Sequence, residues 1–377
     1  MENLFFENPL SREMLIQRRS TRREDVRGAY FRDATAILHS FPFRRLKHKT
    51  QVFFAPENDH ICTRIEHVLH VSTVAATICK ALGLDSELAW AIGLGHDLGH
   101  TPFGHVGEKI VEKLWSKEGG FAHEMYSLRV VDHLINYGKG LNLTYAVRDG
   151  IVNHCGERFE QNIEPSFHIR DLSKITQRDQ YPATWEGCVV RMSDKIAYLG
   201  RDLEDAIQLK IIEESELPEY IAKLLGRENG AIIDTLVSDT IQTSLRTGKI
   251  GFSDEIYEGI IGLKSFNYEH IYNSPRLVNY HSYFERILNT LFDYLAELFD
   301  KYGMEKDGYA KEQNILALRF YDYITKMERF YREADGSFKH IVVDYIAGMT
   351  DDYAIKSVTE LTIPKRFESQ FHDLIFD

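Results

Sequence analysis

A short run at residues 96–108 concentrates the side chains that could do chemistry in this chain. Its thirteen residues, HDLGHTPFGHVGE, include three histidines, two carboxylates and three glycines. The adjacent His96 and Asp97 offer a neutral nitrogen ligand beside a hard oxygen ligand, a mixture that suits Mn, Fe, Zn or Mg. Glycines relax the backbone where a helix must end and let it pass close to a ligand. A polar turn between two helices has no use for this much imidazole, so the run predicts a metal site.

The residues upstream predict a helix that points one more histidine at this site. From Thr63 to Leu82 apolar residues recur at helical spacing, and Gly83 is placed to end the helix. His67 lies on the broad apolar face, whereas His70 is one position off it. A lone inward histidine is usually a core residue, but one that faces a His-Asp pair has other ligands beside it. We therefore predict His67 as a third ligand.

A carboxylate supplies the fourth candidate ligand. Asp194 lies within an apolar helical segment, residues 189–199, and burying an unpaired carboxylate is costly. Either a metal ion or the neighbouring Lys195 could neutralise it. The metal explains more, because it also accounts for the upstream histidine and the His-Asp pair. Two histidines and two carboxylates thus predict one divalent-metal site.

These four residues also carry a resemblance to a known family. Their order resembles the H…HD…D signature of HD-domain metal-dependent phosphohydrolases. Further blocks are similar to the deoxyguanosinetriphosphate triphosphohydrolase-like (dGTPase-like) family of dNTP triphosphohydrolases: FRRLKHKTQVF at 43–53, DLGHTPFGH at 97–105, DKIAY at 194–198 and DYIAGMTD at 344–351. The resemblance implies an HD-domain helical core with additional helices. It also implies a divalent metal cofactor (Mn, Mg, Fe, Ni, Co or Zn).

An acid–base pair is expected close to the metal. His105 and Glu108 are three residues apart, so on one helical turn Glu108 can hydrogen-bond the imidazole, orient it and raise its pKa. By the resemblance, residues at these two positions act catalytically, and those at the positions of His100 and His123 contact phosphate or assist. His123 could instead be an ordinary polar residue at a helix N-terminus.

Three cations are expected to face the phosphates. Arg64 lies one helical turn before a metal ligand, and Lys195 lies next to another. The resemblance adds Lys264. It also places Gln51, Tyr198 and Asp202 at the sugar, with Asp202 accepting a hydrogen bond from the 3′-hydroxyl. The ring of Tyr272 would fill the space of a 2′-hydroxyl, although Lys264 and Tyr272 could equally lie on a helix surface.

Length and composition agree with a globular enzyme. The 377 residues are 44% hydrophobic, enough for a large core in one large or two unequal domains. Only nine prolines and long helical periodicities favour a mainly α fold. Four cysteines without CxxC spacing are typical of reduced core thiols. No apolar run reaches the ~18 residues of a membrane span, so we expect a soluble, cytoplasmic protein.

Charge is distributed unevenly along this acidic chain. The net charge of −12 argues against indiscriminate nucleic-acid binding, yet between Arg18 and Lys49 ten Lys or Arg residues stand against three acidic ones. Such a basic arm suits a polyphosphate or a partner subunit, because guanidinium forks match phosphate oxygens. A solvated arm explains residues 18–27 equally well. Accessory binding of single-stranded nucleic acid by the arm stays open.

We expect three regions along the chain: a basic N-terminal arm with short helices in 1–60, an HD metal-binding core in 61–210, and a helical C-terminal region in 211–377. The last should complete the substrate pocket and provide oligomer contacts, a hexamer or tetramer by the resemblance. A polar insertion at 156–182 is a lid or an oligomer contact. The stripe at 283–295 is expected to be helix packing. Breaks are expected near 226–230, 303–308 and 335–336.

The residues and the resemblance together predict hydrolysis of a dNTP, with dGTP as a candidate preferred substrate, to a deoxynucleoside and inorganic triphosphate. The nearest alternative is an HD-type nucleotidase or phosphodiesterase that acts on monophosphates or cyclic nucleotides. An alternative of another class is a non-catalytic nucleotide or single-stranded nucleic-acid binding protein. The intact ligand set argues against the loss of chemistry, and the acidic balance argues against a dedicated nucleic-acid protein.

Overall fold

The computed structural model describes residues 6–54, 58–116, 120–155, 159–176, 178, 180–333, 335 and 338–363. These residues form seventeen α-helices and one two-stranded antiparallel sheet. The mainly α fold class is therefore confirmed. Three short helices come before the core: α1 (Arg12–Leu15), α2 (Ala29–Leu38) and α3 (Phe41–Arg45).

Six helices form the core that carries the predicted metal ligands. They are α4 (Arg64–Leu82), α5 (Ser86–Gly95), α6 (Gly104–Leu114), α7 (His123–Arg129), α8 (Tyr145–Val152) and α9 (Trp185–Gln208). Helix α4 packs against both α5 and α9, and α5 packs against α2, α8 and α9. The apolar faces of α4 and α9, which the sequence periodicity predicted, are buried where these helices pack together.

Helix α4 confirms the helix predicted between Thr63 and Leu82. Thr63 is its N-cap, and the Glu66 carboxylate accepts a hydrogen bond from the Thr63 backbone N–H at 2.7 Å, a capping-box contact. Gly83 ends the helix with φ 73°, in the left-handed region. His67 is buried and His70 only half-buried, as their positions relative to the apolar face predict.

The C-terminal region is a series of eight helices. They are α10 (Glu219–Leu225), α11 (Asn229–Thr247), α12 (Asp254–Phe266), α13 (Pro275–Tyr302), α14 (Lys306–Lys311), α15 (Ile315–Glu333), α16 (Ile341–Ala347) and α17 (Asp351–Thr362). The breaks predicted near 226–230 and 303–308 separate α10 from α11 and α13 from α14. Helix α15 ends just before the third predicted break, of which Gly336 lies outside the described residues.

The stripe predicted at 283–295 lies on α13 and is helix packing. Phe284, Leu288, Leu291 and Leu295 are all buried. They recur at three- and four-residue intervals, which places them on one face of the helix.

The insertion at 156–182 is tied to the C-terminal region by the small sheet. Strand β1 (Asn162–Ile163) pairs antiparallel with β2 (Ile250–Gly251). Residues 156–158, 177 and 179 of the insertion lie outside the described residues.

Part of the basic arm is engaged by the protein itself. Arg18 forms an ion pair with the buried Asp33, with 2.5 Å between Nη1 and Oδ1. Arg18, Arg19 and Arg22 also donate hydrogen bonds to backbone carbonyls of residues 132–142. The arm is thus anchored on the core. Among the described residues no helix is both long enough and apolar enough to cross a membrane.

Candidate metal centre and active site

The four predicted metal ligands converge from three places in the core. His67 comes from α4, His96 and Asp97 follow the end of α5, and Asp194 comes from α9. His67 Nε2 lies 3.0 Å from Asp194 Oδ1 and 3.8 Å from Asp97 Oδ2. His96 Nε2 lies 3.5 Å from Asp97 Oδ1 and 3.9 Å from Asp194 Oδ1. With metal–ligand bonds of about 2.1 Å, neighbouring ligand atoms are about 3.0–3.4 Å apart. The observed 3.0–3.9 Å begin at this range and exceed it by at most 0.5 Å, so small side-chain shifts would let the group hold a divalent ion.

His96 is oriented as a metal ligand would be. Its Nδ1 donates a hydrogen bond to the Gly93 carbonyl at 2.7 Å, which fixes the tautomer that leaves the Nε2 lone pair unprotonated. This Nε2 is buried without a hydrogen-bond partner among the described residues. Burial also lowers the pKa of His96, which favours the neutral form that metals bind. An orphaned buried nitrogen is costly, and a metal ion would satisfy it.

Arg64 contacts a metal ligand. The side chain is only 1% exposed, and its Nη1 donates to Asp97 Oδ2 at 2.6 Å. Its Nη2 donates to the backbone carbonyls of Thr50 and Gln51. In this structure the guanidinium therefore holds Asp97 in place, and contact with phosphate stays a prediction.

The predicted pair of His105 and Glu108 is part of a three-residue cluster. Glu108 Oε2 lies 3.2 Å from His105 Nδ1, and Oε1 lies 3.0 Å from His123 Nδ1. The Glu108 carboxylate also accepts the backbone N–H of His123, at the start of α7, at 2.9 Å. The side chain of His105 is 63% exposed, whereas those of Glu108 and His123 are buried. Glu108 thus orients one accessible and one buried imidazole.

The pKa values of the buried His100 and His123 are shifted in opposite directions. Burial lowers the pKa of His123, but the Glu108 charge outweighs burial and raises the pKa well above its usual value. Burial, then the charges of Arg64 and His123, hold the pKa of His100 well below its usual value. The rings of His100 and His123 are stacked with centroids 3.9 Å apart, and His100 Nε2 lies 3.2 Å from Asp97 Oδ1. The two stacked rings therefore have pKa values shifted in opposite directions.

Two glycines of the 96–108 run differ from the expectation that they let the backbone approach a ligand. A Cβ on Gly99 would lie 2.2 Å from the backbone N of Ser127. A Cβ on Gly107 would lie 1.8 Å from the carbonyl oxygen of Pro102. The close neighbours are the backbone of the protein itself. Gly99 thus lets the segment after α5 pack against α7, and Gly107 lets the first turn of α6 pack against Pro102.

Comparisons with known proteins agree with this geometry. A model of the HD domain matches residues 64–199, and a model of the phosphohydrolase-associated domain matches residues 250–360. A deoxyguanosinetriphosphate triphosphohydrolase-like protein of Caldanaerobacter subterraneus subsp. tengcongensis is 39% identical over 97% of this chain and 94% of its own length. This chain belongs to the dGTPase-like family of HD-domain phosphohydrolases. Relatives of the same description from Desulfatibacillum aliphaticivorans and Clostridium tetani are each 35% identical, over 90% and 91% of this chain and 89% and 88% of their own lengths.

Two predicted phosphate-binding lysines of this dGTPase-like protein meet at one aromatic ring. Nζ of Lys195 lies 4.7 Å and Nζ of Lys264 lies 4.5 Å from the centroid of the Phe159 ring. Lys195 also forms an ion pair with Glu160, which pairs with the buried Arg191 as well. The sequence did not single out Phe159 or Glu160. The Glu160 carboxylate therefore partly neutralises the charge of Lys195.

The predicted sugar-site residues include a directly bonded pair. The Tyr272 hydroxyl donates a hydrogen bond to Asp202 Oδ2 at 2.6 Å. Burial raises the pKa of Asp202 to about 7, and burial together with the Asp202 charge raises the pKa of Tyr272 well above its usual value. Tyr198 lies one helical turn before Asp202 on α9. Gln51 is buried, and its Oε1 has no hydrogen-bond partner among the described residues, which leaves an acceptor for a ligand.

Sequence reasoning missed three residues at the site of this phosphohydrolase. His154 and Cys155 follow α8 and lie beside His123. Lys49 is buried, and its Nζ donates to the carbonyl oxygens of His100 and Ala347. A His-Cys pair downstream of the His-Asp pair was a usable signal. Lys49 appeared in the sequence only as part of the basic run, because only the fold brings residues 100 and 347 to its ammonium group.

Proposed function

We propose that this protein hydrolyses dNTPs to a deoxynucleoside and inorganic triphosphate. The proposal rests on the positions of two aspartates along α9. Asp194 belongs to the predicted metal-binding group, and Asp202 accepts a hydrogen bond from the Tyr272 hydroxyl. Eight residues of α-helix span about 12 Å, which leaves room for a phosphate at one end and a sugar at the other. A buried carboxylate beside an aromatic ring is suited to accept the 3′-hydroxyl while excluding a 2′-hydroxyl.

In the proposed reaction a water oxygen forms a bond to the α-phosphorus, and the bond from that phosphorus to the 5′-oxygen breaks. The 5′-oxygen leaves with the electron pair and takes a proton. A divalent metal ion at the four-ligand site would supply Lewis-acid polarisation and lower the pKa of water. His105 is suited to deliver the proton, because its exposed ring is held at Nδ1 by Glu108 and can present Nε2 to the leaving group.

A second candidate, a nucleotidase or phosphodiesterase, is favoured by one observation. Two of the three cations expected to hold a triphosphate tail are paired with carboxylates, Arg64 with Asp97 and Lys195 with Glu160. The positive charge offered to a tail is therefore smaller than the sequence predicts. The triphosphate tail of a dNTP would have to compete with Glu160 for Lys195. A monophosphate bound at the metal would not need Lys195 and so would face no such competition.

Product analysis in ¹⁸O-labelled water separates these candidates. Metal-loaded protein is incubated with each dNTP, and the products are resolved by chromatography and mass spectrometry. We expect deoxynucleoside and triphosphate, with the ¹⁸O in the triphosphate because attack is at the α-phosphorus. Asp194→Asn, purified in parallel, should give no product and so controls for contaminating phosphatases. Release of pyrophosphate or single phosphate would support the second candidate, and no turnover of any nucleotide would indicate a binding protein.

A further inference from the structure

The Glu160 carboxylate divides its two oxygens between two cations of α9. Its Oε1 lies 2.5 Å from Nη2 of Arg191, and its Oε2 forms an ion pair with Nζ of Lys195. Arg191 and Lys195 are four residues apart, so both side chains leave the same face of the helix. Because a different oxygen makes each contact, the contact with Lys195 can break while the contact with Arg191 remains.

Arg191 is a fixed anchor for this carboxylate. Its side chain is 1% exposed, and its Nη1 donates hydrogen bonds to the backbone carbonyls of Asn153, Cys155 and Gln180. These bonds do not involve Glu160, so the buried guanidinium keeps its partners when the carboxylate turns. Because no buried donor loses all of its partners, the free-energy cost of such a movement is small.

Lys195 also has a second contact. Its Nζ lies 4.7 Å from the centroid of the Phe159 ring, and Nζ of Lys264 lies 4.5 Å from the same centroid. The Tyr257 hydroxyl donates a hydrogen bond to the Phe159 carbonyl oxygen at 2.8 Å, which holds this part of the insertion on α12. An ammonium group has three donors, so Lys195 can stay over the ring while a phosphate oxygen replaces Glu160. The ring thus keeps two ammonium groups close together, a pair that suits a polyanion.

We propose that Glu160 is an intramolecular competitor for the polyphosphate tail of the substrate. Carboxylate and phosphate oxygens accept the same hydrogen bonds from an ammonium group, so an oxygen of the tail takes the place of Glu160 at Lys195 when substrate binds. After the nucleoside leaves, the carboxylate returns to Lys195 from its anchor on Arg191 and weakens the binding of the triphosphate product. The inference rests on the proposed function and deepens it, because Glu160 then sets the affinity for polyphosphates and the rate of product release.

Binding of inorganic triphosphate tests this role without turnover. The Mn²⁺-loaded full-length protein is titrated in a calorimeter with the equimolar Mn²⁺ complex of triphosphate, so that the ligand does not remove metal from the protein. We expect Glu160→Gln to bind triphosphate about tenfold more tightly than the wild type, since a charge-assisted contact no longer competes. Orthophosphate, which does not need Lys195 when it binds at the metal, should bind both proteins alike. Glu164→Gln, at an exposed ion pair with Lys249 in the same insertion, is the matched control and should leave both affinities unchanged.

A permanent structural ion pair is the alternative role for Glu160, and a double-mutant cycle separates the two roles. In a Lys195→Gln background, Glu160→Gln should no longer tighten triphosphate binding, because the competitor acts through that ammonium group. Glu160→Asp covers the case in which Glu160→Gln leaves Arg191 without its carboxylate and does not fold. Its shorter side chain keeps the charge but does not span both cations, so it should tighten binding by a smaller factor. Circular dichroism of each variant checks the fold.

Unchanged or weaker triphosphate binding in a folded Glu160→Gln or Glu160→Asp protein would overturn the competitor. Equal gains for triphosphate and orthophosphate would do so too, as would a gain that persists in the Lys195→Gln background. A wild type that releases triphosphate while these variants bind it normally would overturn the competitor alone. If the wild type instead releases pyrophosphate or single phosphate, the proposed function fails, and tighter triphosphate binding by Glu160→Gln still supports competition at Lys195.

Discussion

Asp351 at the start of α17 holds the backbone of Phe103, the residue just before helix α6, which carries the predicted acid–base residues His105 and Glu108. Its Oδ1 accepts the Phe103 backbone N–H at 3.0 Å, and its Oδ2 accepts that of Thr50 at 2.9 Å. Phe103 has φ 64°, a left-handed conformation that costs an L-residue roughly 1–2 kcal/mol. Its ring is stacked on Phe284 of α13 with centroids 4.3 Å apart. The C-terminal region thus maintains the strained turn that places His105.

Asp351→Asn should therefore weaken both the fold and the reaction. An amide keeps one acceptor oxygen but turns a donor toward the other backbone N–H, and an unsatisfied buried group costs about 1–3 kcal/mol. We expect the free energy of unfolding to fall by that amount in urea denaturation, together with a lower kcat. Asp352→Asn, at the less buried neighbour, is the control and should change neither. Wild-type stability and kcat in Asp351→Asn would mean that the turn does not depend on this carboxylate.

His105→Ala should lower kcat by on the order of 10²–10⁴ while bound metal is unchanged, because in the proposed reaction its accessible imidazole delivers the proton. Sequence reasoning alone predicts a smaller effect for Glu108→Ala, as an orienting residue. Since Glu108 also binds His123, we now expect Glu108→Gln to approach the effect of His105→Ala. Steady-state kinetics with metal analysis checks both. A near-normal kcat in His105→Ala would move the acid role to His100 or His123.

Tyr272 should set the preference for deoxyribose. Tyr272→Phe keeps the ring but loses the hydrogen bond to Asp202, so the ratio of kcat/KM for dNTP over the matching NTP should hold. Tyr272→Ala removes the ring and should reduce that ratio by about tenfold or more. Asp202→Asn should weaken both substrates alike. Equal rates on dGTP and GTP in the wild type would show that these residues do not distinguish deoxyribose from ribose.

Asp149 should make stability depend on pH. Burial raises its pKa in the folded protein to about 6, from an ordinary value of 3.8. Because the folded-state pKa is raised, the protonated carboxyl favours folding below pH 3.8, and this contribution is lost as the pH rises through 6. It amounts to about 3 kcal/mol at most. Between pH 4 and 7, roughly the window these values define, Asp149→Asn should lose less stability than the wild type. Parallel denaturation curves in the two proteins would contradict this.

The sequence by itself determined the helix that carries His67, the helical segments at 189–199 and 283–295, and the residue types of the metal site. Apolar spacing and the cap residues Thr63 and Gly83 are local signals, so they gave α4 within one residue of its observed start. The His-Asp pair and the isolated Asp194 could be recognised in the sequence, because burying such polar side chains without a ligand costs free energy. The resemblance then supplied the family, which the comparisons confirm.

Only the tertiary structure decided what each side chain faces. Spacing placed Arg64 and Lys195 beside metal ligands but could not tell that Asp97 and Glu160 hold them. The His154-Cys155 pair was a usable signal in the sequence, but the sequence could not tell that it lies beside His123. Hydrogen bonds and ion pairs act over about 3–4 Å between atoms that can be hundreds of residues apart in the chain, so they have no signature in local periodicity. The packing of α4, α5, α8 and α9, together with the position of Glu160 beside Lys195, creates these contacts.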